Sequence, residues 1–273
     1  MNWMRALGRT GLQVSALGLG TVKLGRDRNV KYPAAYTLPD DRSAAELLAR
    51  ARHLGITLLD TAPAYGDSEQ RLGRLLAGQR QHWLICSKVG EEFHDGRSRF
   101  DFSPEHTRLS VQRSLRRLDT DVLDIVLVHS NGDDLDIIER MGTLQALAQL
   151  RKEGLVRAIG MSTKTVAGGV AAASCCDVVM LTYNPTHLEE RPVLDTCAQL
   201  GTATLIKKAL DSGHLAGGAT ATSGTGIDAC MELVLAHPGT SAAVVGTINP
   251  DHLEANVLAA RHTLSGLRRG SSA

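Results

Sequence analysis

Eight short apolar runs recur along the chain, and a helical pattern follows each of them. The runs are 16–20, 56–59, 83–87, 122–128, 158–161, 178–181, 204–206 and 242–245; the helical patterns span 43–53, 68–76, 104–118, 143–153, 165–173, 191–200, 226–237 and 250–262. Alternation of this kind produces parallel strands joined by crossover helices. The runs are apolar on both faces, as strands buried between a barrel interior and an outer ring of helices must be. Eight repeats favour closure. An open doubly wound sheet would carry a GxGxxG phosphate loop after its first strand, and Gly18-Leu19-Gly20-Thr21-Val22-Lys23 lacks the third glycine. The expected architecture is an α/β (β/α)8 TIM barrel, a single domain over 1–273.

Ahead of the first run, Arg5-Ala6-Leu7 and Gln13-Val14-Ser15 flank Gly8-Arg9-Thr10-Gly11, the pattern of a β-hairpin able to cap the N-terminal end of the barrel. Two long loops follow strands and therefore belong to the C-terminal face, where barrel sites are built. One is Thr21 to Asp41, with Tyr32, Pro33, Tyr36 and Pro39; the other is Glu91 to Ser103, with Phe93, Phe100 and Phe102. Either loop can also serve packing or a subunit contact alone. Ala216 to Thr225, rich in Gly, Ala, Ser and Thr, is expected to be mobile. A formal net charge of +1 offers no field for nucleic acid or an acidic membrane, so the expected partner is a small molecule, met by a monomer or weak homo-oligomer. The cysteines, Cys86, Cys175, Cys176, Cys197 and Cys230, lack zinc-type spacing, which points to reduced thiols, a cytoplasmic setting and no metal. No segment approaches the roughly 20 apolar residues of a membrane helix. Met1 to Arg9 has no apolar core of signal-peptide length.

Chemistry-bearing residues gather where the second, third and fourth runs end. Leu58-Leu59-Asp60-Thr61-Ala62-Pro63-Ala64-Tyr65-Gly66 closes an apolar run with an acid and presents a tyrosine after a turn; Lys88 and His129 close the next two runs. A tyrosine of ordinary pKa, about 10, donates protons poorly at neutral pH unless a cation stabilises its phenolate, and Lys88 can supply that cation. Asp60 balances a lysine that would otherwise lose hydration at the end of an apolar strand. His129 can donate a hydrogen bond to a substrate carbonyl or relay a proton. Taken singly, a histidine after a strand is more often structural, and an Asp-Lys pair more often a plain ion pair. In adjacent βα units the four together outline a proton-donor site.

These residues, with LLDTAPAYGDSE, ICSKVG and LVHS around them, resemble the catalytic tetrad of the aldo-keto reductase superfamily. The resemblance extends through the hairpin, Gly20-Thr21, Gly160-Met161-Ser162, Tyr183-Asn184-Pro185 and Val245-Gly246-Thr247 through Asn256. It implies a barrel that binds an extended nicotinamide dinucleotide, NADP(H) or NAD(H), and reduces an aldehyde or ketone to an alcohol, or the reverse. Tyr65 would be the general acid, Lys88 and Asp60 would tune it, and His129 would orient the carbonyl. The implied cofactor-binding set is Gly20, Thr21, Asp60, Ser162, Thr163, Met180, Lys207, Lys208, Gly246, Thr247, His252 and Asn256. Departures occur on this side: Thr163 stands where Asn is common, Met180 where Gln is common, and Ile206-Lys207-Lys208 where a stacking tyrosine is usual. Gly246 and His252 replace the Lys and Arg that hold a 2'-phosphate in NADPH-preferring relatives, which implies a weakened NADPH preference with NADH open. The short stretch 263–273 after the last helical pattern implies an open pocket. Two further readings keep the barrel: a Lys88 Schiff-base lyase, and a cofactor-binding sensor or interaction protein with little turnover.

Overall fold

The computed structural model describes residues 3–30, 32, 34–216 and 226–270. Strands β1 (Met4–Ala6) and β2 (Gln13–Ser15) form the expected hairpin, and β3 (Leu17–Gly20), β4 (Leu58–Asp60) and β5 (Leu84–Val89) open the barrel. A second antiparallel hairpin, β6 (Glu91–His94) and β7 (Arg97–Phe100), projects after β5. Strands β8 (Leu123–His129), β9 (Val156–Ser162), β10 (Val178–Thr182), β11 (Ala203–Lys207) and β12 (Ala242–Val245) complete the circuit, and β12 closes in parallel onto β3. The strands lie in the positions expected from the sequence, with ends shifted by one or two residues.

Nine helices are described: α1 (Asp41–His53), α2 (Ser68–Leu75), α3 (Pro104–Arg117), α4 (Asp134–Glu139), α5 (Thr143–Lys152), α6 (Val166–Cys175), α7 (Arg191–Leu200), α8 (Ile227–Ala236) and α9 (Pro250–Gly270). Their starts follow local chemistry. Asp40 accepts a hydrogen bond from the Ser43 amide at the head of α1, and Ser103 accepts one from His106 ahead of Pro104 in α3. Each satisfies an amide that the helix cannot, a cap worth about 1 kcal/mol. Three expectations change. Much of the Glu91 to Ser103 loop is the β6–β7 hairpin, α4 was not foreseen, and α9 runs on to Gly270 rather than ending at His262. Residues 217–225 of the stretch expected to be mobile, and Pro33, lie outside the described residues.

Burial divides the apolar residues into two layers. One surrounds the barrel and joins strands to helices, with Leu19, Leu59, Ile85, Val126 and Ile159 facing outward. The other fills the interior: Leu58, Cys86, Ile125, Leu127, Ala158, Val178, Met180, Ala203, Leu205 and Ala242. Leu7, Leu12 and Val14 of the first hairpin join the interior set, so the hairpin plugs the N-terminal end. Each such buried side chain contributes about 1.5–3 kcal/mol. With its lower end closed by the hairpin, the barrel presents its polar residues at the C-terminal mouth.

Candidate active site

Side chains alternate along a strand, so the inward series of each strand fixes what reaches the mouth. On β4 the series is Leu58 then Asp60; on β5, Cys86 then Lys88; on β8, Ile125, Leu127, then His129. The register sets Gly20 beside Asp60 and His129 beside Ser162. A single inward step beyond the apolar floor thus gathers Asp60, Lys88, His129 and Ser162 in one polar layer.

Tyr65 enters from the loop after β4, at the end of a short 3-10 turn, Pro63–Tyr65. Gly66 follows with φ +60 and ψ −125, and a β-carbon there would lie 2.1 Å from the Gly25 carbonyl oxygen. Only glycine fits that backbone and that close approach. The tyrosine turn is thereby pinned against the loop after β3. Below it, Thr21, Thr61 and Ser68 share hydroxyl hydrogen bonds of 2.8–3.0 Å, and Thr21 also donates to the Asp60 carbonyl at 2.9 Å.

The Lys88 Nζ donates to Asp60 Oδ1 at 2.6 Å and to the Thr61 carbonyl at 2.9 Å, and it lies close enough to the Tyr65 phenol to favour the phenolate. Nζ lies 4.7 Å from the centre of the tyrosine ring, and the Tyr65 hydroxyl donates to Asp60 Oδ2 across 3.4 Å. Lys88 and Asp60 are both buried. Burial is the largest single influence and opposes the ammonium, but Asp60, Tyr65 and Cys86 together outweigh it, Asp60 most of all, and hold Lys88 protonated above the ordinary lysine range. A locked ammonium is a poor imine-forming nucleophile. Burial and Asp60 together push the Tyr65 phenol upward, while Lys88 pulls it down less strongly. Lys88 thus acts on Tyr65 in the expected direction, against the larger opposing effects of burial and Asp60. Tyr65 rests as a neutral phenol, and Lys88 limits the rise.

His129 meets Tyr65 edge to face, with ring centres 6.4 Å apart. Its Nδ1 lies 2.8 Å from Glu91 Oε2, although the ring N–H is not in line with that oxygen. Glu91, the first residue of β6, also accepts from Ser98 at 2.5 Å. Burial works against the Glu91 carboxylate, but His129, Ser98 and Arg26 more than offset it, and its pKa falls to about 2. Arg26 lies 3.4 Å over the Phe93 ring and donates to the Ala64 carbonyl at 3.0 Å. Asn29 donates to the Gly96 carbonyl at 2.6 Å. The two long loops are thus latched together beside Tyr65. Glu91 and Arg26 were missed as site residues in the sequence. The signal for the hairpin was Asp95-Gly96, whose paired positive φ angles of +51 and +76 suit a two-residue hairpin turn.

On the other side of the mouth, Lys207 Nζ donates to Ser162 Oγ at 3.0 Å and to the Thr163 carbonyl at 2.7 Å. Desolvation lowers the Lys207 pKa to about 8, with Glu190 opposing the fall. The Thr163 hydroxyl is buried without a hydrogen-bond partner, a polar atom left for something else to satisfy. Gly246 lies under Tyr32, whose hydroxyl is 2.9 Å from where a Gly246 β-carbon would sit, and Gly20 packs beside it, with Val244 3.2 Å from where its own β-carbon would sit. Lys23 lies 3.9 Å over the Tyr32 ring. Thr247 and Asn256 are buried near the start of α9, and His252 is exposed on its first turns. Met180 pairs with Ser162 across β9 and β10, and its carbonyl accepts from the Thr163 amide at 3.1 Å, so it lies beside the expected cofactor set with its side chain in the barrel interior. Lys208 stands apart: it is exposed at φ +56, and its carbonyl accepts from Asn184 at 2.8 Å. Among the described residues no cluster of His, Cys, Asp and Glu is placed to hold a metal, all five cysteines are free thiols, and no helix is long and apolar enough to cross a membrane.

A closed parallel barrel with its polar groups at the C-terminal mouth is the scaffold of many enzymes, and the Asp-Tyr-Lys-His constellation narrows the class to the barrel reductases. The chain belongs to the aldo/keto reductase family, whose family model matches residues 16–226. A solved structure of a Pseudomonas aeruginosa protein assigned to the aldo-keto reductases is 54% identical with a TM-score of 0.86, covering 96% of this chain and 95% of that one. The holo form of aldo-keto reductase AKR11C1 from Bacillus halodurans is 25% identical with a TM-score of 0.78, covering 94% and 90%. L-galactose dehydrogenase of Arabidopsis thaliana is 39% identical over 165 residues, 58% of this chain and 48% of that protein. The matched region thus spans about half the length of that relative.

Proposed function

We propose that the protein is a nicotinamide-dependent oxidoreductase that interconverts a small carbonyl compound and its alcohol, working as a single-domain enzyme over residues 1–273. The observation that carries this reading is the Tyr65 phenol held against a buried, ion-paired Lys88 with His129 across from it. Family membership and the holo form of one relative support the cofactor class.

The chain's residues fit such a cofactor. Ser162 and the partnerless Thr163 hydroxyl would take its carboxamide, Gly20 and Thr21 would border the ring, and Gly246, Thr247, His252 and Asn256 would receive the adenosine end. When bound, the cofactor supplies or accepts hydride at the substrate carbon. Tyr65 gives its proton to the carbonyl oxygen as negative charge develops there, and the Lys88 N–H steadies the phenolate left behind. Asp60 keeps Lys88 charged and fixed, so that this stabilisation is already oriented before reaction. The raised phenol pKa keeps the proton on Tyr65 until a strongly basic oxygen appears.

Neither Gly246 nor His252 offers a permanent cation, so the preference for NADPH over NADH is expected to be below a hundredfold, measured by titrating the purified protein with each. The free thiols are consistent with a cytoplasmic setting, and a monomer or weak homo-oligomer suffices because one chain supplies all four groups. Turnover of an aldehyde and alcohol panel with either cofactor tests the assignment. Cofactor-linked absorbance change is expected; binding without turnover would favour a sensor, and borohydride-trapped substrate on Lys88 would favour a lyase.

A further inference from the structure

We infer that Lys207 is a specificity-determining residue that reads the redox state of a bound nicotinamide, its ammonium disfavouring the cationic oxidised ring relative to the neutral reduced one. This rests on the oxidoreductase reading and names how that site distinguishes the two forms of its cofactor.

The parity of β11 brings the lysine into the mouth. Ala203 and Leu205 face the barrel interior, and Lys207 is the next inward residue, half-buried and paired with Thr182 of β10. Its side chain reaches across β10 to the end of β9, where Nζ donates to Ser162 Oγ at 3.0 Å and to the Thr163 carbonyl at 2.7 Å. Ser162 accepts that bond and keeps its own O–H to give. The Thr163 hydroxyl beside it is buried with no partner. These two hydroxyls are the groups that would take a carboxamide. An atom bonded to Ser162 Oγ lies no more than about 6 Å from Lys207 Nζ, the sum of two hydrogen-bond lengths.

The charges in the mouth are not equally balanced. Lys88 faces Asp60 at 2.6 Å, and Glu91 has the Arg26 guanidinium near enough to favour its charge. Lys207 is held instead by a hydroxyl and a carbonyl, both neutral, with no ion pair to it among the described residues. Burial is the largest influence on it and lowers its pKa to about 8. Glu190, just ahead of α7, and Asp134 of α4 favour its charge from further off, while Lys208 after β11 and Lys164 after β9 oppose it. His129 of β8 is near enough to feel the lysine, which disfavours an imidazolium there. At neutral pH Lys207 is therefore mostly charged, and it is the unbalanced cation beside the ring site.

An oxidised nicotinamide ring carries a positive charge and a reduced one carries none. Two positive charges about 6–8 Å apart, at an effective dielectric of about 20, repel strongly enough to weaken binding about 10–100-fold. The coupling is reciprocal, so the oxidised form drives the proton off Lys207 by the same factor. Covering the mouth takes Lys207 out of water whichever form binds, and the ratio of the two Kd values isolates the ring charge. The penalty on the oxidised form is present at low pH, where Lys207 is charged, and is lost as pH rises and the ammonium gives up its proton.

The test is calorimetric titration of the protein with NAD+ and NADH, and with NADP+ and NADPH, from about pH 6 to about pH 9. In wild type the ratio of oxidised to reduced Kd should fall about 10–100-fold across that range. Repeated in buffers of different ionisation enthalpy, binding of the oxidised form should release more protons than binding of the reduced form. Lys207→Gln keeps a hydrogen-bond donor without the charge, and Lys207→Met keeps neither. Both should bind the oxidised form about 10–100-fold more tightly relative to the reduced form at the acid end, with a ratio that no longer changes with pH. A ratio unmoved in both variants would overturn the inference, and an equal loss of both forms, as from a contact to the pyrophosphate, is such a result. A wild-type ratio flat in pH would overturn it too, even if neither variant folds. Wild type that binds neither form removes the oxidoreductase reading and this inference with it; wild type that binds both at a constant ratio removes this inference alone.

Discussion

Replacing Lys88 with methionine keeps most of the side-chain volume and removes the charge that Asp60 faces together with the donor to the Thr61 carbonyl. The Asp60 and Lys88 side chains are 5% and 1% exposed, and the Nζ contact is 2.6 Å, so the variant strands a carboxylate in the barrel mouth. Breaking a buried pair from one side costs about 3–5 kcal/mol. For a chain of this size about 2–3 °C of melting temperature accompanies each kcal/mol, which gives a fall of roughly 6–15 °C. The companion variant Asp60→Asn with Lys88→Met removes both charges, and most of the loss should return, because a neutral pair of similar volume is often as stable as the ion pair it replaces. Thermal and denaturant unfolding of wild type, the two single variants and the double variant complete the cycle. A coupling of about 2 kcal/mol or more is expected between contacting charges. If Lys88→Met loses less than about 1 kcal/mol, or if the double variant loses the sum of the singles, the reasoning about this pair is wrong.

Gly66→Ala should cost about 1–3 kcal/mol through its backbone conformation, and turnover should fall by at least about tenfold because the clash with the Gly25 carbonyl displaces Tyr65. Unfolding and steady-state rates check both, and an unchanged rate would mean that the turn does not fix the tyrosine. Lys207 carries a folded-state pKa of about 8 against an ordinary value of 10.5, so between those pH values the unfolded chain binds more protons. Stability should therefore gain with rising pH from about 8 to about 10.5, and the gain should be absent in Lys207→Met when denaturant midpoints are compared across that range.

The barrel was legible because eight apolar runs with intervening helices admit few other arrangements, and the inward parity of Leu58-Asp60, Cys86-Lys88 and Leu127-His129 was already present in the sequence. Strand ends moved because backbone pairing, not apolarity, terminates a ladder, as at Lys207, which pairs with Thr182 beyond the apolar run. Glu91 was not legible as a partner of His129. The two come from different strands, and it is the parallel pairing of β5 with β8, Val89 against Val128, followed by the turn at Gly90, that sets the carboxylate beside His129. What opposes Lys88 at Tyr65 was hidden for a similar reason. A sequence names the nearby cation but not the burial, and burial together with Asp60 outweighs Lys88 here. Lys208 separates from the expected cofactor set on geometry alone, by turning outward at a positive φ.

The central claim is that the Tyr65 phenol delivers the proton that accompanies hydride transfer, and Tyr65→Phe tests it by removing one oxygen atom. Reduction of an aldehyde by the variant should lose about 10²–10⁴-fold in kcat, the usual worth of a positioned acid, while nicotinamide cofactor binding measured by fluorescence titration stays within a few-fold of wild type. A phenylalanine variant that reduces the aldehyde at the wild-type rate would contradict the account.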